Sequence, residues 1–142
     1  MESAILGLIL DTSIIITGER RGLTVPQILR QVRETWGETE IGLSAVTIAE
    51  LTHGIQRAQL EAQRVRQQAF VDEVMETVKV HPVSSEIAQR AGVISGQAAV
   101  QRLTLPFEDL LIGATALYPG FEVATQNIRH FKKIPNLIVR RA

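Results

Sequence analysis

The sequence predicts an α/β fold built on a mainly parallel sheet, and three observations carry that expectation. Ala4 to Leu10 is a nearly continuous apolar run, the pattern of a strand covered on both faces. Stretches with apolar residues at helical spacing alternate with short extended ones along the chain. Asp11 and Asn127 fall just past two of the extended stretches, where open parallel sheets bind ligands.

The elements follow in order. Ala4 to Leu10 is the first strand. Val25, Ile28, Leu29, Val32 and Trp36 then recur at helical spacing, with Thr24 as a cap and Pro26 in the first turn, and predict a helix. Glu40 to Ala45 alternates, with Ile41, Leu43 and Ala45 on one side, and predicts a second strand. A helix from Thr47 through Ile55 comes next. Leu60 to Val78 is rich in Gln, Arg and Glu and carries Phe70, Val74 and Val78 at helical spacing before the short extended VKVHPVS. Helical periodicity returns from Glu86 to Val100. Pro106 opens another helix that runs through Asp109 to Leu117 and ends at Pro119 and Gly120. FEVAT reads as a strand, NIRHF as a turn or short helix, and LIVR as the last strand.

With 142 residues the chain suits one domain, 1–142, and is too short for two ordinary ones. Lysine plus arginine equals aspartate plus glutamate, at 15 each, so net charge selects no partner. The absence of cysteine excludes disulfides, thiolate metal sites and a cysteine nucleophile. The apolar run before Asp11 is too short to span a bilayer, and Glu2 stands where a signal peptide carries positive charge, so a cytoplasmic protein with no membrane partner is expected.

Asp11 is an ionisable group between Leu8, Ile9, Leu10 and Ile14, Ile15, Ile16, and a carboxylate there needs compensation. Helix or turn capping would supply it, as would a cation. Glu50 admits a similar local reading, because Thr47 to Glu50 matches a Ser/Thr-x-x-Glu capping box. Asp109 falls in the first turn after Pro106, where the helix macrodipole favours negative charge, and its neighbour Glu108 is expected to face water. Asn127 is compatible with a simple turn. Together the four are oxygen-bearing groups at element ends, able to face one cleft. Three carboxylates brought close repel one another unless a cation sits among them, and an oxygen-only set specifies a hard ion, Mg²⁺ or Mn²⁺. The chemistry suggested is hydrolysis of a phosphate ester.

In order, LILDTSIII, LSAVTIAELTHGI, LPFEDLLIGATAL and VATQNIRHFKKIPNL resemble the sequence blocks of PIN-domain proteins, and most closely those of VapC-type toxins. The blocks cover Leu8 to Leu137, and their specificity comes from the ordered set. The resemblance implies a PIN-like three-layer α/β/α sandwich with a central, mainly parallel sheet. It also implies a metal-dependent endoribonuclease that cuts structured RNA such as tRNA or ribosomal RNA, forms a homodimer and is blocked by a VapB-like antitoxin. Asp11, Glu50 and Asp109 map onto the acidic, metal-binding positions, Asn127 onto the fourth catalytic position, and Thr12, Ser13, Ser44 and Thr125 onto nearby polar ones. Asn127 is neutral, His130 stands where many relatives carry Asp, and Gln126 where many carry Arg; these departures leave a one-metal site intact and weaken a two-metal one.

From Gln126 to Ala142 the chain has five basic residues and no acid, a candidate phosphate contact centred on Lys132 and Lys133. Arg57, Arg64 and Arg66, set among glutamines, are candidates for RNA or a partner. An aspartyl-phosphate phosphatase would want a second Asp where Ser13 stands. The alternative from another class is a non-catalytic module of the same fold that binds RNA or protein.

Overall fold

The structure is a computed structural model and describes residues 5–142. In chain order it contains β1 (Gly7–Leu10), α1 (Thr12–Arg20), α2 (Val25–Trp36), β2 (Glu40–Ser44), α3 (Ala45–Arg57), α4 (Glu61–Thr77), β3 (Lys79–His81), α5 (Ser85–Val100), α6 (Phe107–Leu117), β4 (Glu122–Thr125), α7 (Ile128–Phe131) and β5 (Val139–Arg141). The strands form one sheet ordered β3-β2-β1-β4-β5, and every adjacent pair is parallel.

Alternation along the strands divides the core into two layers. Leu8 and Leu10 of β1, with Ile41 and Leu43 of β2, point into a cluster formed with α1, α2 and α4. Ile9 and Val123, which are partners in the β1–β4 register, point the other way, into a cluster formed with α5, α6 and α7. The result is the expected three-layer α/β/α sandwich. Leu8, Ile9 and Leu10 are completely buried, which explains why β1 reads as an unbroken apolar run. Its expected start at Ala4 lies outside the described residues; pairing begins at Gly7.

Local chemistry fixes several boundaries. Thr24 caps α2 through a reciprocal box, its hydroxyl accepting from Gln27 N while Gln27 Oε1 accepts from Thr24 N. The same helix ends at Gly37, whose φ of 90° suits glycine. The expected second strand and the helix after it shift slightly, because Ser44 rather than a later residue caps α3 and Ala45 is already helical.

Helix α1 is the element the sequence patterning does not anticipate. Three consecutive isoleucines, Ile14 to Ile16, favour a strand by intrinsic preference, since β-branched side chains lose χ1 freedom in a helix. Packing overrides that preference. The helix buries Ile14 and Ile15, and at Gly18 an added Cβ would lie 2.5 Å from Ile28 Cδ1, so a glycine there lets α2 approach the α1 backbone.

Helices that lead into parallel strands run back across the sheet, so the N-terminus of α6, which precedes β4, lies at the carboxyl edge where β1 and β2 end. Ala114 and Ala116 are completely buried on α6, which packs over β1, β2 and β4, and at Gly113 an added Cβ would lie 2.5 Å from Ile134 Cδ1. The β4–β5 connection folds under α6 through Phe131 and Ile134, both buried. Among the described residues no helix is long and apolar enough to cross a membrane. Because Phe131 is fully buried and anchors the segment that carries Asn127 and His130, Phe131→Ala should lower the unfolding free energy by about 3–5 kcal/mol in urea titrations.

Candidate active site

From β1 the chain steps to β2 and β3 on one side, then crosses back to β4 and β5 on the other. The strand order therefore reverses between β1 and β4, and at such a switch point the crossovers diverge and leave a crevice at the carboxyl edge. Asp11 follows β1 there, and Thr125 ends β4.

Asp11 is only 3% exposed. It occupies the N-cap position of α1, yet its side chain makes no capping bond, so the local explanation for its presence fails. Its Oδ2 instead accepts from Ser13 Oγ at 2.8 Å and from Thr125 Oγ1 at 2.7 Å. No donor among the described residues reaches Oδ1. The same two hydroxyls receive backbone N–H groups from the chain beyond β4: Asn127 N donates to Thr125 Oγ1 at 2.8 Å, and Gln126 N to Ser13 Oγ at 3.3 Å.

Glu50 corrects the capping-box expectation. Ser44 caps α3, accepting from Val46 N, whereas Thr47 is buried within the helix and Glu50 is its sixth residue. The TIAE pattern serves tertiary contacts: Thr12 Oγ1 donates to Glu50 Oε1 at 2.7 Å and lies 2.9 Å from Thr47 Oγ1. Asp109 is the third residue of α6, as expected, and Glu108 is exposed. Asp109 Oδ2 lies 2.7 Å from His130 Nδ1, and an ionised carboxylate can only accept, so Nδ1 carries the hydrogen.

The three carboxylates share one electrostatic neighbourhood. Burial raises the Glu50 carboxyl above its usual range, the Thr12 hydrogen bond opposes this, and the charges of Asp11, Asp109 and Glu108 add to the rise. Burial likewise raises Asp109, whose side chain is 16% exposed; the His130 hydrogen bond pulls it down and the Asp11 charge pushes it up. The positive ends of α1 and α6 offset part of this accumulated charge.

Among the described residues no three acidic or histidine side chains converge into a closed cluster able to hold an ion by themselves. The donors still fit Mg²⁺ or Mn²⁺. Mg²⁺ retains several waters and binds through one or two carboxylates, so it suits carboxylates that feel one another without forming a cage. Asn127 lies two residues past Thr125 but is exposed, and its side chain neither caps α7 nor bonds a carboxylate; its link to the site is its backbone N–H.

Two contributors carry weaker sequence signals. Thr125 is one polar residue at a strand end until the fold brings it to Asp11, 114 positions away. His130 stands out in the sequence only as a departure from a resembling pattern, because nothing local announces its bond to Asp109. Of the five basic residues in the tail, two have structural partners: Arg140 pairs with Glu122, and Lys133 bonds Thr104 O.

Comparison with known proteins agrees with this geometry. A PIN-domain profile matches residues 8–137. Ribonuclease VapC1 from Rickettsia felis is 33% identical over 134 residues, covering 94% of this chain and 95% of that protein. Among solved structures, VapBC2 from Rickettsia felis bound to a DNA fragment from their promoter superposes with a TM-score of 0.81 at 21% identity, covering 96% of this chain and 98% of the other. VapBC-5 from Mycobacterium tuberculosis, of the VapBC family of toxin-antitoxin systems, gives 0.72 at 20% identity, covering 96% and 99%. The structural likenesses establish the same fold, and the profile and the curated relative establish the lineage: the chain belongs to the PIN-domain family and, within it, to the VapC ribonucleases.

Proposed function

We propose that the protein is a metal-dependent endoribonuclease, the toxin of a toxin-antitoxin pair, that hydrolyses phosphodiester bonds of structured RNA such as tRNA or ribosomal RNA. The observation that carries this reading is the meeting of Asp11, Glu50 and Asp109 in one electrostatic field at the switch point of the sheet, in a chain of VapC lineage. A VapB-like antitoxin is the partner suggested by the complexes that share the fold. Exposed Val93, Val100, Leu103 and Phe107 supply apolar surface for assembly as a homodimer.

Asp11 and Asp109 are the residues to hold a hard divalent ion, with Glu50 acting through water or as a base. When bound, Mg²⁺ or Mn²⁺ supplies positive charge for phosphate oxygens and makes water a better nucleophile. The protein's own share is preorganisation. Ser13 and Thr125 fix one oxygen of Asp11 and His130 fixes one oxygen of Asp109, so neither carboxylate must reorganise during reaction. Thr12 occupies Glu50 Oε1, leaving Oε2 to take a proton from the attacking water. The water oxygen bonds to phosphorus, the bond to the 3′ oxygen breaks, and Asn127 contributes a neutral positioning amide at the rim.

Purified protein freed of antitoxin should cut end-labelled tRNA into discrete fragments in Mg²⁺ or Mn²⁺. Chelator and Asp109→Asn should each abolish those fragments; cleavage that survives both refutes the mechanism. The raised Glu50 carboxyl gives a second test. Because it titrates higher in the folded chain than in the unfolded one, its ionised form opposes folding at neutral pH, and that opposition fades as pH falls through the raised folded-state value and is gone below the ordinary value of 4.5. Without divalent ions, Glu50→Gln should therefore raise the melting temperature at pH 7 and make it less dependent on pH, while Mn²⁺ should raise that of the unsubstituted protein and not that of Asp11→Asn. A non-catalytic module would show no Mn²⁺ shift. Finally, His130→Ala should reduce kcat by about 10-fold or more with little change in RNA affinity. His130→Asn, which can restore a donor to Asp109, should recover part of the loss; equal kcat in all three proteins would remove His130 from the mechanism.

A further inference from the structure

A groove leaves the catalytic cleft at Glu50 and runs between α1 and α4. Its inner part, about 410 Å³, is bounded by Glu50, Arg20 and Arg57, with Gln63 and Gln67 on the α4 side. Its outer part, about 390 Å³, shares Arg20, Gln63 and Gln67 and adds Arg66 and Phe70. Both volumes far exceed the roughly 30 Å³ share of one water, so the groove can take a chain.

Three features point to a polyanion. Arg20, Arg57 and Arg66 are exposed and make no hydrogen bond or ion pair within the described residues, and a guanidinium fork matches phosphate oxygens. Beyond Glu50 the groove has a single acid, Glu19, so positive charge predominates along it. On α4 the residues Gln63, Arg66, Gln67 and Phe70 follow helical spacing and form one stripe facing the groove. The nearby Arg64 behaves differently: its guanidinium donates to Ala58 O at 2.7 Å and approaches Glu61, so it is committed to the start of α4.

We propose that the α1–α4 groove is a binding subsite for the RNA strand flanking the scissile phosphate, with Arg20, Arg57 and Arg66 holding successive phosphates. A strand emerging beside Glu50 enters this groove directly, and its charge complements the lining. The inference rests on the ribonuclease reading above and adds the path of its substrate.

The test measures binding of a labelled oligouridylate to the full chain carrying Asp109→Asn, in chelator, as KCl is varied. Adding Arg20→Gln, Arg57→Gln and Arg66→Gln together should weaken binding at least 10-fold. It should also flatten the plot of log K against log salt by about 0.7 for each phosphate no longer held, about 2 in all. Arg64→Gln should leave that slope unchanged, and melting curves should show every variant folded; if the triple variant is not, the single substitutions should each remove about 0.7. Equal affinity and slope in parent and groove variants would overturn the proposal and return the groove to a protein partner. Cleavage of tRNA by the unsubstituted chain separates the two readings: cleavage with unaffected groove variants defeats the subsite alone, whereas absence of both cleavage and RNA binding defeats the ribonuclease reading and the subsite with it.

Discussion

The structure depends on holding a carboxylate, Asp11, at the end of its most buried strand. The cost of removing that group from water is met by two hydroxyls on one of its oxygens, and those hydroxyls come from opposite ends of the chain's architecture. Ser13 is supplied by the first turn of α1 and Thr125 by the last residue of β4, so the α1 start, the β1–β4 pairing and the turn into α7 must all be correct for Asp11 to be tolerated. The solvation of one side chain thus ties together elements more than a hundred residues apart.

The parallel sheet explains why the other acids arrive at the same place. In a right-handed parallel arrangement, helices that follow strands start at the carboxyl edge, and so do helices that run antiparallel to the strand they precede. Glu50 comes by the first route on α3, and Asp109 by the second on α6. Burial raises the proton affinity of both, and the charge of Asp11 adds to the rise in each, an unfavourable accumulation that a divalent cation would relieve and that an apolar core of the same shape would not contain.

Much of this arrangement is legible in the sequence, because it follows from where elements end. Strand β1 is unmistakable as an apolar run halted by Asp11; Pro106 marks the start of α6 and thereby places Asp109; FEVAT places Asn127. What the sequence hides is what depends on tertiary packing. The isoleucines of α1 carry a strand-like preference that burial against α2 overrides. The TIAE segment has the spacing of a local cap, yet the cap is Ser44, and Thr47 and Glu50 are engaged with Thr12, 35 and 38 residues away in the chain. The Asp109–His130 bond joins two segments separated by 21 positions, and no periodicity encodes such a pair.

The hydroxyls around the carboxylates carry one hydrogen each, and their directions are therefore set. Ser13 and Thr125 give theirs to Asp11, and in turn accept from the amides of Gln126 and Asn127. Thr12 gives its hydrogen to Glu50, so Thr47 must be the donor between the two threonines. The hydroxyls of Ser13, Thr125 and Thr12 all point their hydrogens at a carboxylate. With Asp11 and Glu50 ionised, Ser13, Thr125 and Thr12 have no proton left to offer a phosphate, however near it comes. The carboxylate side of the cleft is thus lined by acceptors, a surface that favours cations over anions.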